Sequence, residues 1–339
     1  MYRHTKFAAG IAAAISLAGT VAMAEPEPAS YILATASTGG TYYPVGVALS
    51  TLVKVKLEPD TGISLSAINS AGSGENIRLL NEGEAQFAIL QGLFGYLGWN
   101  GEGEFAESGP QEKLRSISML WPNVEQFILD KRAVKNGTVS DLIELKGEAM
   151  AFGAENSGAL GSTETLLSGL GVDIFKDYKL IYAGYGPSAE ALQNGQVKGI
   201  NPNSGIPNGT VSQVFATAGD NLQMLEVTDE ELEKMDGGRE LWTRFVIPAG
   251  TYPGVEEDIQ TIAQPNLLAT TADIPEENVY LMTKAIYENL PFLQAIHPAT
   301  KEMALEQAIA GLPLPLHPGA RRYYEEMGVE IPDRLKAAE

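Results

Sequence analysis

The chain has 339 residues, with 23 Lys and Arg against 43 Asp and Glu (net charge -20) and no cysteine. That length holds two ordinary domains sharing a sizeable core. The acidity excludes nucleic acid and anionic lipid as partners, since phosphate binding needs clustered cations; the lack of cysteine excludes disulfides, thiolate nucleophiles and zinc fingers.

In chain order, Arg3 and Lys6 form a charged start, Phe7 to Val21 is mostly apolar and small, and Ala22-Met23-Ala24 supplies an Ala-x-Ala exit. This pattern predicts a secretory signal peptide over residues 1–24, cleaved after Ala24, and a periplasmic mature protein that is not membrane-embedded. A membrane anchor is the alternative, but the stretch is short and contains Ser16, Gly19 and Thr20. No later run approaches the roughly 20 apolar residues of a spanning helix. Losing Arg3 and Lys6 takes the basic count from 23 to 21 against the same 43 acidic residues.

After the proline-spaced "EPEPAS", "YILATA" reads as a short buried strand, "STGGTYYP" as a Gly-rich loop, and "PVGVALSTLVKVKL" as a helix with Val45, Leu49, Leu52 and Val53 at helical spacing. The order repeats as strand Ile63 to Ile68, loop Asn69 to Gly74, helix Glu75 to Asn81 capped by Gly83, and strand Gln86 to Leu90. A second series begins near residue 124, with a strand in "VEQFILDKRA" and a short helix in "TVSDLIELKG" whose N-cap is Ser140. "EAMAFGAENSGALGSTETLLSGLGV" is again strand, Gly/Ser loop and helix. Strand Lys179 to Ala183, helix Pro187 to Asn194, strand Val197 to Ile200 and a helix near Val211 follow. "LWTRFVIPAGTYPGVEED" reads as a proline- and glycine-rich return, and Ile259 to Thr270 as a strand. "PEENVYLMTKAIYENLPFLQAI", "ATKEMALEQAIAG" and "GARRYYEEMG" read as closing amphipathic helices.

Alternating strands and helices predict an α/β architecture with largely parallel sheets. Two such series, joined by long strands near Met119 to Leu129 and Thr261 to Thr270, predict a two-lobed, hinged binding protein of type II-like topology. The predicted division is residues 30–122 with 266–339 in the first lobe and 123–265 in the second.

Three loops, "STGGTY", "NSAGSGEN" and "ENSGALGST", each follow a strand and open a helix. First-turn N–H groups there lack intrahelical partners and the helix dipole favours negative charge. Glycine permits close backbone approach and Ser/Thr hydroxyls add donors, so three such ends facing one cleft would hold a small anion, most readily a carboxylate. Taken singly, each loop is an ordinary helix cap. No phosphate-loop or dinucleotide fingerprint occurs. Gln91 directly follows the strand "FAIL" and is expected to aim its amide at the cleft. Asn201 and Asn203 of "NPNSG" are expected to do the same near the hinge, although Asn-Pro-Asn is also turn chemistry. Tyr42-Tyr43 could wall the cleft or pack the loop, and Tyr185 is similar. Past the signal, only His297 and His317 remain; each precedes a proline, as at helix ends and turns. Neither a metal site nor a nucleophile-base pair is expected, and no cofactor.

The segments "TASTGGTYYPVGVALS", "ENIRLLNEGEAQFAILQ", "IPAGTYPGVEED" and "GLPLPLHPGARRYYEEMGV" resemble the TAXI-type solute-binding proteins of TRAP transporters over nearly the whole mature chain. The resemblance implies a two-lobed periplasmic binding-protein fold that delivers a solute such as glutamate, 2-oxoglutarate or a related dicarboxylate or amino acid to a TRAP membrane permease. Carried onto this chain, the ligand loop would be Thr38, Gly40, Thr41 and Tyr42; Ser70, Ser73, Gln91, Ser157 and Gly158 would complete it. The chain departs from the family at "AENSGALGST", with Glu155-Asn156 inserted and Ala159 in place of threonine, and at "INPNSG". Both departures make the cleft richer in amides, so Asn156, Asn201 and Asn203 join the expected ligand set. Glu155, facing the ligand, would oppose an anion and could meet an amine. The leading reading is transport; the same fold could instead present ligand to a sensor kinase. An enzyme would need a nucleophile with a base or a metal cluster, for which two His-Pro histidines are poor material.

Overall fold

The structure, a computed structural model, describes residues 25–336; the expected signal peptide, residues 1–24, lies outside them. Eleven strands among the described residues build two sheets. β1 (Ala29–Ala34), β2 (Ile63–Ile68), β3 (Phe87–Gln91), β4 (Leu114–Val124), β10 (Thr243–Ile247) and β11 (Ile259–Thr271) form the first, ordered β10-β11-β3-β1-β2 with β4 also on β11. β5 (Ile128–Asp130), β6 (Ala149–Gly153), β7 (Lys179–Tyr182), β8 (Gly199–Ile200) and β9 (Leu222–Met224) form the second, ordered β7-β6-β8-β5-β9.

β1 pairs in parallel with β2 and β3, and β6 with β7 and β8. The strands entering and leaving the connection run the other way: β11 is antiparallel to β3, β4 and β10, and β5 is antiparallel to β8 and β9. The sheets are therefore mixed, because β4 and β11 travel between them rather than alternating with helices. Their pairing runs from Leu114–Thr271 to Val124–Ala263, and Val124 and Ala263 already belong to the apolar cluster on the second sheet.

Strands β5 and β6 of that second sheet are buried on both faces, with alternate residues turned to opposite sides. Met150 and Phe152 of β6 join the cluster that also fills the first sheet, while Ala151 between them faces the other cluster. Leu129 and Ile128 of β5 divide in the same way.

Several elements differ from the expectations. Ser140 does not cap a helix; Thr138 precedes a 3-10 segment, Val139–Leu145, and the Ser140 N–H donates to Glu231 Oε1 at 2.9 Å. "ATKEMALEQAIAG" is not one helix but two 3-10 pieces, Pro298–Glu302 and Leu305–Gln307. The Ala308 carbonyl there accepts from Met119 N–H at 2.7 Å. Completing the β4 edge outweighs helix propensity. β9 and β10, and helices Gly92–Asn100 and Asp229–Asp236, are not legible in the sequence as separate elements.

Both histidines sit at helix starts. His317 precedes helix Pro318–Glu326; its Nδ1 accepts from Gly319 N–H at 3.2 Å, so the proton on Nε2 donates to Ile274 O at 3.0 Å. Gly319 is needed for close packing, since a Cβ there would stand 2.2 Å from Glu276 O. Burial pushes the His317 imidazole down from 6.5 to about 4, so the fold favours the neutral ring. Stability is expected to be steady above pH 6.5 and to fall as pH drops through the window from 6.5 to about 4, by about 3 kcal/mol. His317→Asn keeps a capping acceptor without the titration and should flatten that part of the curve. Denaturant titrations at several pH values check this; parallel wild-type and variant curves would rule His317 out.

Candidate functional site

The end of β1, the loop after β2 and the body of β3 are tied together by one buried amide. Asn76, on helix Ser73–Glu82, donates to Thr35 O at 2.7 Å and Ile89 O at 2.9 Å, and its Oδ1 accepts from Ser70 Oγ at 2.6 Å. Ser70 Oγ in turn accepts from Gly72 N–H at 3.1 Å. Gly72 holds φ +126°, and a Cβ there would lie 3.3 Å from Gly158 N, so glycine is required both for the turn and for the approach of the second loop.

The loops meet loops of the second sheet. Thr41 Oγ1 donates to Gly205 O (3.3 Å), Thr210 Oγ1 to Gly39 O (3.0 Å) and Gln91 Nε2 to Asn203 Oδ1 (3.2 Å). On the opposite side Glu75 N–H donates to Asn156 O at 3.2 Å. These contacts flank a cavity of about 300 Å³.

Thr38, Gly40, Thr41, Tyr42, Ser70, Ser73, Gln91, Ser157, Gly158 and Asn203 all line it. Asn156 and Asn201 do not. Asn156 is exposed in a left-handed turn (φ +59°), where its backbone carbonyl rather than its side chain is used. Asn201 is buried behind the cavity, accepting from Gln126 N–H at 3.0 Å and donating to Glu125 Oε2 at 2.8 Å and Thr163 Oγ1 at 3.0 Å. Glu155 is exposed and outside the lining. The cavity also takes in Asn123, Asn69 and Ser204, which the expected set lacked, and Tyr185, which the sequence offered as either a cleft wall or loop packing. Asn123 carried a legible signal: with Glu125 and Gln126 it interrupts the apolar run of "LWPNVEQFIL".

No lining residue is Asp, Glu, Lys, Arg or His. The wall is hydroxyls, amides and backbone, with the Tyr42 and Tyr185 rings. Some hydroxyls are already engaged: Tyr42 donates to Asn266 Oδ1, and Tyr185 donates to Asn203 O at 2.5 Å. Burial pushes both phenols above their ordinary range, so they stay protonated. Other polar atoms are bare: Asn123 Oδ1 and Nδ2 and Gln91 Oε1 are buried without a partner among the described residues.

Four helices begin at this cavity: Tyr42–Lys56, Ser73–Glu82, Gly158–Gly169 and Tyr185–Gln193. Ser157 caps its helix by accepting from Leu160 N–H at 3.1 Å, whereas Thr41, Gly72 and Gly184 make no side-chain cap. Three of the four have no acidic residue in the first turn. In the fourth, Glu75 folds back onto Ala71 N–H at 2.6 Å. The positive ends of the helices thus face the cavity uncompensated by a charged lining residue.

The fold recurs in solved structures. MatC from Rhodopseudomonas palustris, with bound malate, matches over 87% of this chain and 98% of its own at 13% identity and a TM-score of 0.55. A protein from Bordetella bronchiseptica RB50 matches over 90% of each chain at 15% identity and a TM-score of 0.52. The periplasmic binding protein BugD matches over 88% of this chain and 95% of its own at 14% identity and a TM-score of 0.51. These are two-lobed periplasmic binding-protein folds, and the chain has that fold. Among the described residues no helix is long and apolar enough to cross a membrane. The profile of the NMT1-like family matches residues 33–328, and the chain belongs to the NMT1-like family.

Proposed function

We propose that the protein is an extracytoplasmic solute-binding subunit that captures a small organic acid or amino acid between its lobes and delivers it to a membrane permease of the TRAP type. The observation that carries this reading is the cavity of about 300 Å³ with four helix starts at its wall and no charged side chain in its lining. Helix ends attract a carboxylate without an ion pair, and neutral donors release it when the lobes part. The malate bound by MatC agrees with a small acid. The TRAP partner rests on the TAXI-like segments of the sequence, and export on the N-terminal pattern of residues 1–24.

A thermal-shift series with the mature protein tests the reading. Malate, succinate, 2-oxoglutarate, glutamate and short monocarboxylates are compared with neutral sugars and cationic amino acids. A ligand at about a hundred times its Kd adds about 2.7 kcal/mol to the folded state, so at least one acid is expected to raise the melting temperature by several degrees. Stabilisation by sugars or cations alone would remove the anion assignment.

A further inference from the structure

Most polar side chains on the cavity wall are already used by the protein. Thr41 donates to Gly205 O, Tyr42 to Asn266 Oδ1 and Ser70 to Asn76 Oδ1; Ser157 caps its helix, and Asn203 lies between the buried Glu125 and Gln91. Asn123 is 1% exposed, with its amide sealed in the wall. Ser37, Thr38 and Asn69 line the cavity without a side-chain hydrogen bond among the described residues. They stand on the loops after β1 and β2, and β2 is the edge strand of the first sheet, whereas Gln91 and Asn123 lie on β3 and β4 nearer its centre. Thr38 and Asn69 are exposed, while Gln91 is 3% exposed. The cavity therefore has a buried inner end and an open outer end, and Asn69 is the unused amide at the outer one.

We propose that Asn69 is a specificity-determining residue that reads the end of the solute remote from its acid group. It selects acids that carry a second polar group there (carboxylate, amide or hydroxyl) over acids of the same length that end in a methyl. The helix starts hold the acid group through backbone N–H groups, and Asn69 lies outside them, since the helix that follows it begins at Ser73. An amide offers two donors and an acceptor, so it serves any of these polar ends. A methyl group set against Asn69 strips water from the amide and returns no hydrogen bond. No charged side chain lines the cavity, so the selection is by hydrogen bonding rather than by an ion pair. The inference rests on the solute-binding reading above and deepens it.

Two substitutions separate reading from packing. Asn69→Ala removes the amide, and Asn69→Asp keeps its shape while replacing its donors by a negative charge. Asn69 is exposed, so both variants are expected to fold with little change in melting temperature. The aspartate opposes a terminal carboxylate but still accepts from a terminal amide.

The test is calorimetric titration at neutral pH with solutes that differ only at that end: malate with 2-hydroxybutyrate, 2-oxoglutarate with 2-oxopentanoate, and glutamate and glutamine with norvaline. Wild type, Asn69→Ala and Asn69→Asp are each titrated. In wild type the polar-ended member of each pair that binds is expected to be roughly tenfold or more tighter than its methyl-ended partner. In Asn69→Ala that ratio should fall by about tenfold, a change that mere loosening of the loop does not produce because it weakens both members alike. In Asn69→Asp the carboxylate-ended solutes should lose about tenfold more than glutamine does. Equal affinities within the wild-type pairs, a ratio unchanged in Asn69→Ala, or equal losses of glutamate and glutamine in Asn69→Asp would overturn the role of Asn69 while leaving acid binding intact. No binding by any of these acids would overturn the solute reading and the role of Asn69 together.

Discussion

Gly158→Val is expected to abolish ligand capture while leaving each lobe folded. Gly158 opens helix Gly158–Gly169, and a Cβ there would stand 2.8 Å from Gln91 Cδ and 2.9 Å from Gln91 Oε1 and Ser73 Oγ. All three atoms belong to residues of the first-sheet side, so the crowding exists only when the loops meet. Its backbone φ is not in the left-handed region, and valine can be accommodated by parting the lobes. Overpacking of this kind costs about 1–3 kcal/mol, and here it weighs against closure and displaces Gln91 as well. Affinity for whichever acid stabilises the wild type should fall roughly a hundredfold or more, with a small change in ligand-free melting temperature. Calorimetry together with the radius of gyration in solution checks this. An unchanged affinity would mean that solute does not bind between these loops.

Trp121→Ala is expected to give the largest loss of stability near the site, about 3–5 kcal/mol. Trp121 lies on β4 with no exposed surface and packs edge-on to Tyr42 at 5.9 Å between ring centroids. It also fills the space beside Gly205, where a Cβ would stand 2.7 Å from the indole. Truncation therefore leaves a cavity beneath both a cavity wall and a bridging loop. Trp121→Phe should cost far less, because it retains a ring and removes an Nε1–H that is buried without a partner among the described residues. Denaturant unfolding of both variants measures the difference. A loss below about 1 kcal/mol for the alanine variant would show that this part of β4 repacks freely.

The helix-opening loops are legible because three local signals coincide in each: an apolar run, a Gly/Ser/Thr cluster, and a helical period. Ten of the twelve expected ligand residues consequently line one cavity. Asn156 and Asn201 show what local reading lacks. Both are amides in loops of the right composition, yet one is exposed and offers its carbonyl, while the other is held by Gln126, Glu125 and Thr163. Asn76 reads in the sequence only as part of a helix, although its amide ties the end of β1 to the body of β3. Its partners are 41 and 13 residues away in sequence, beyond any periodicity argument.

By itself the sequence determined the α/β class, the succession of strand, loop and helix, and the hydroxyl- and amide-rich composition of the loops. Those properties follow from hydrophobic period and turn chemistry, which act over a few residues. Only the tertiary structure decided which amides face the cavity, which way each one points, and that a carboxylate buried at the hinge stands behind them. Amide orientation is set by partners distant in the chain: Asn203 meets Glu125 and Gln91 across 78 and 112 residues. No local pattern records such pairings, because they exist only once two sheets and their crossing strands have brought the loops together.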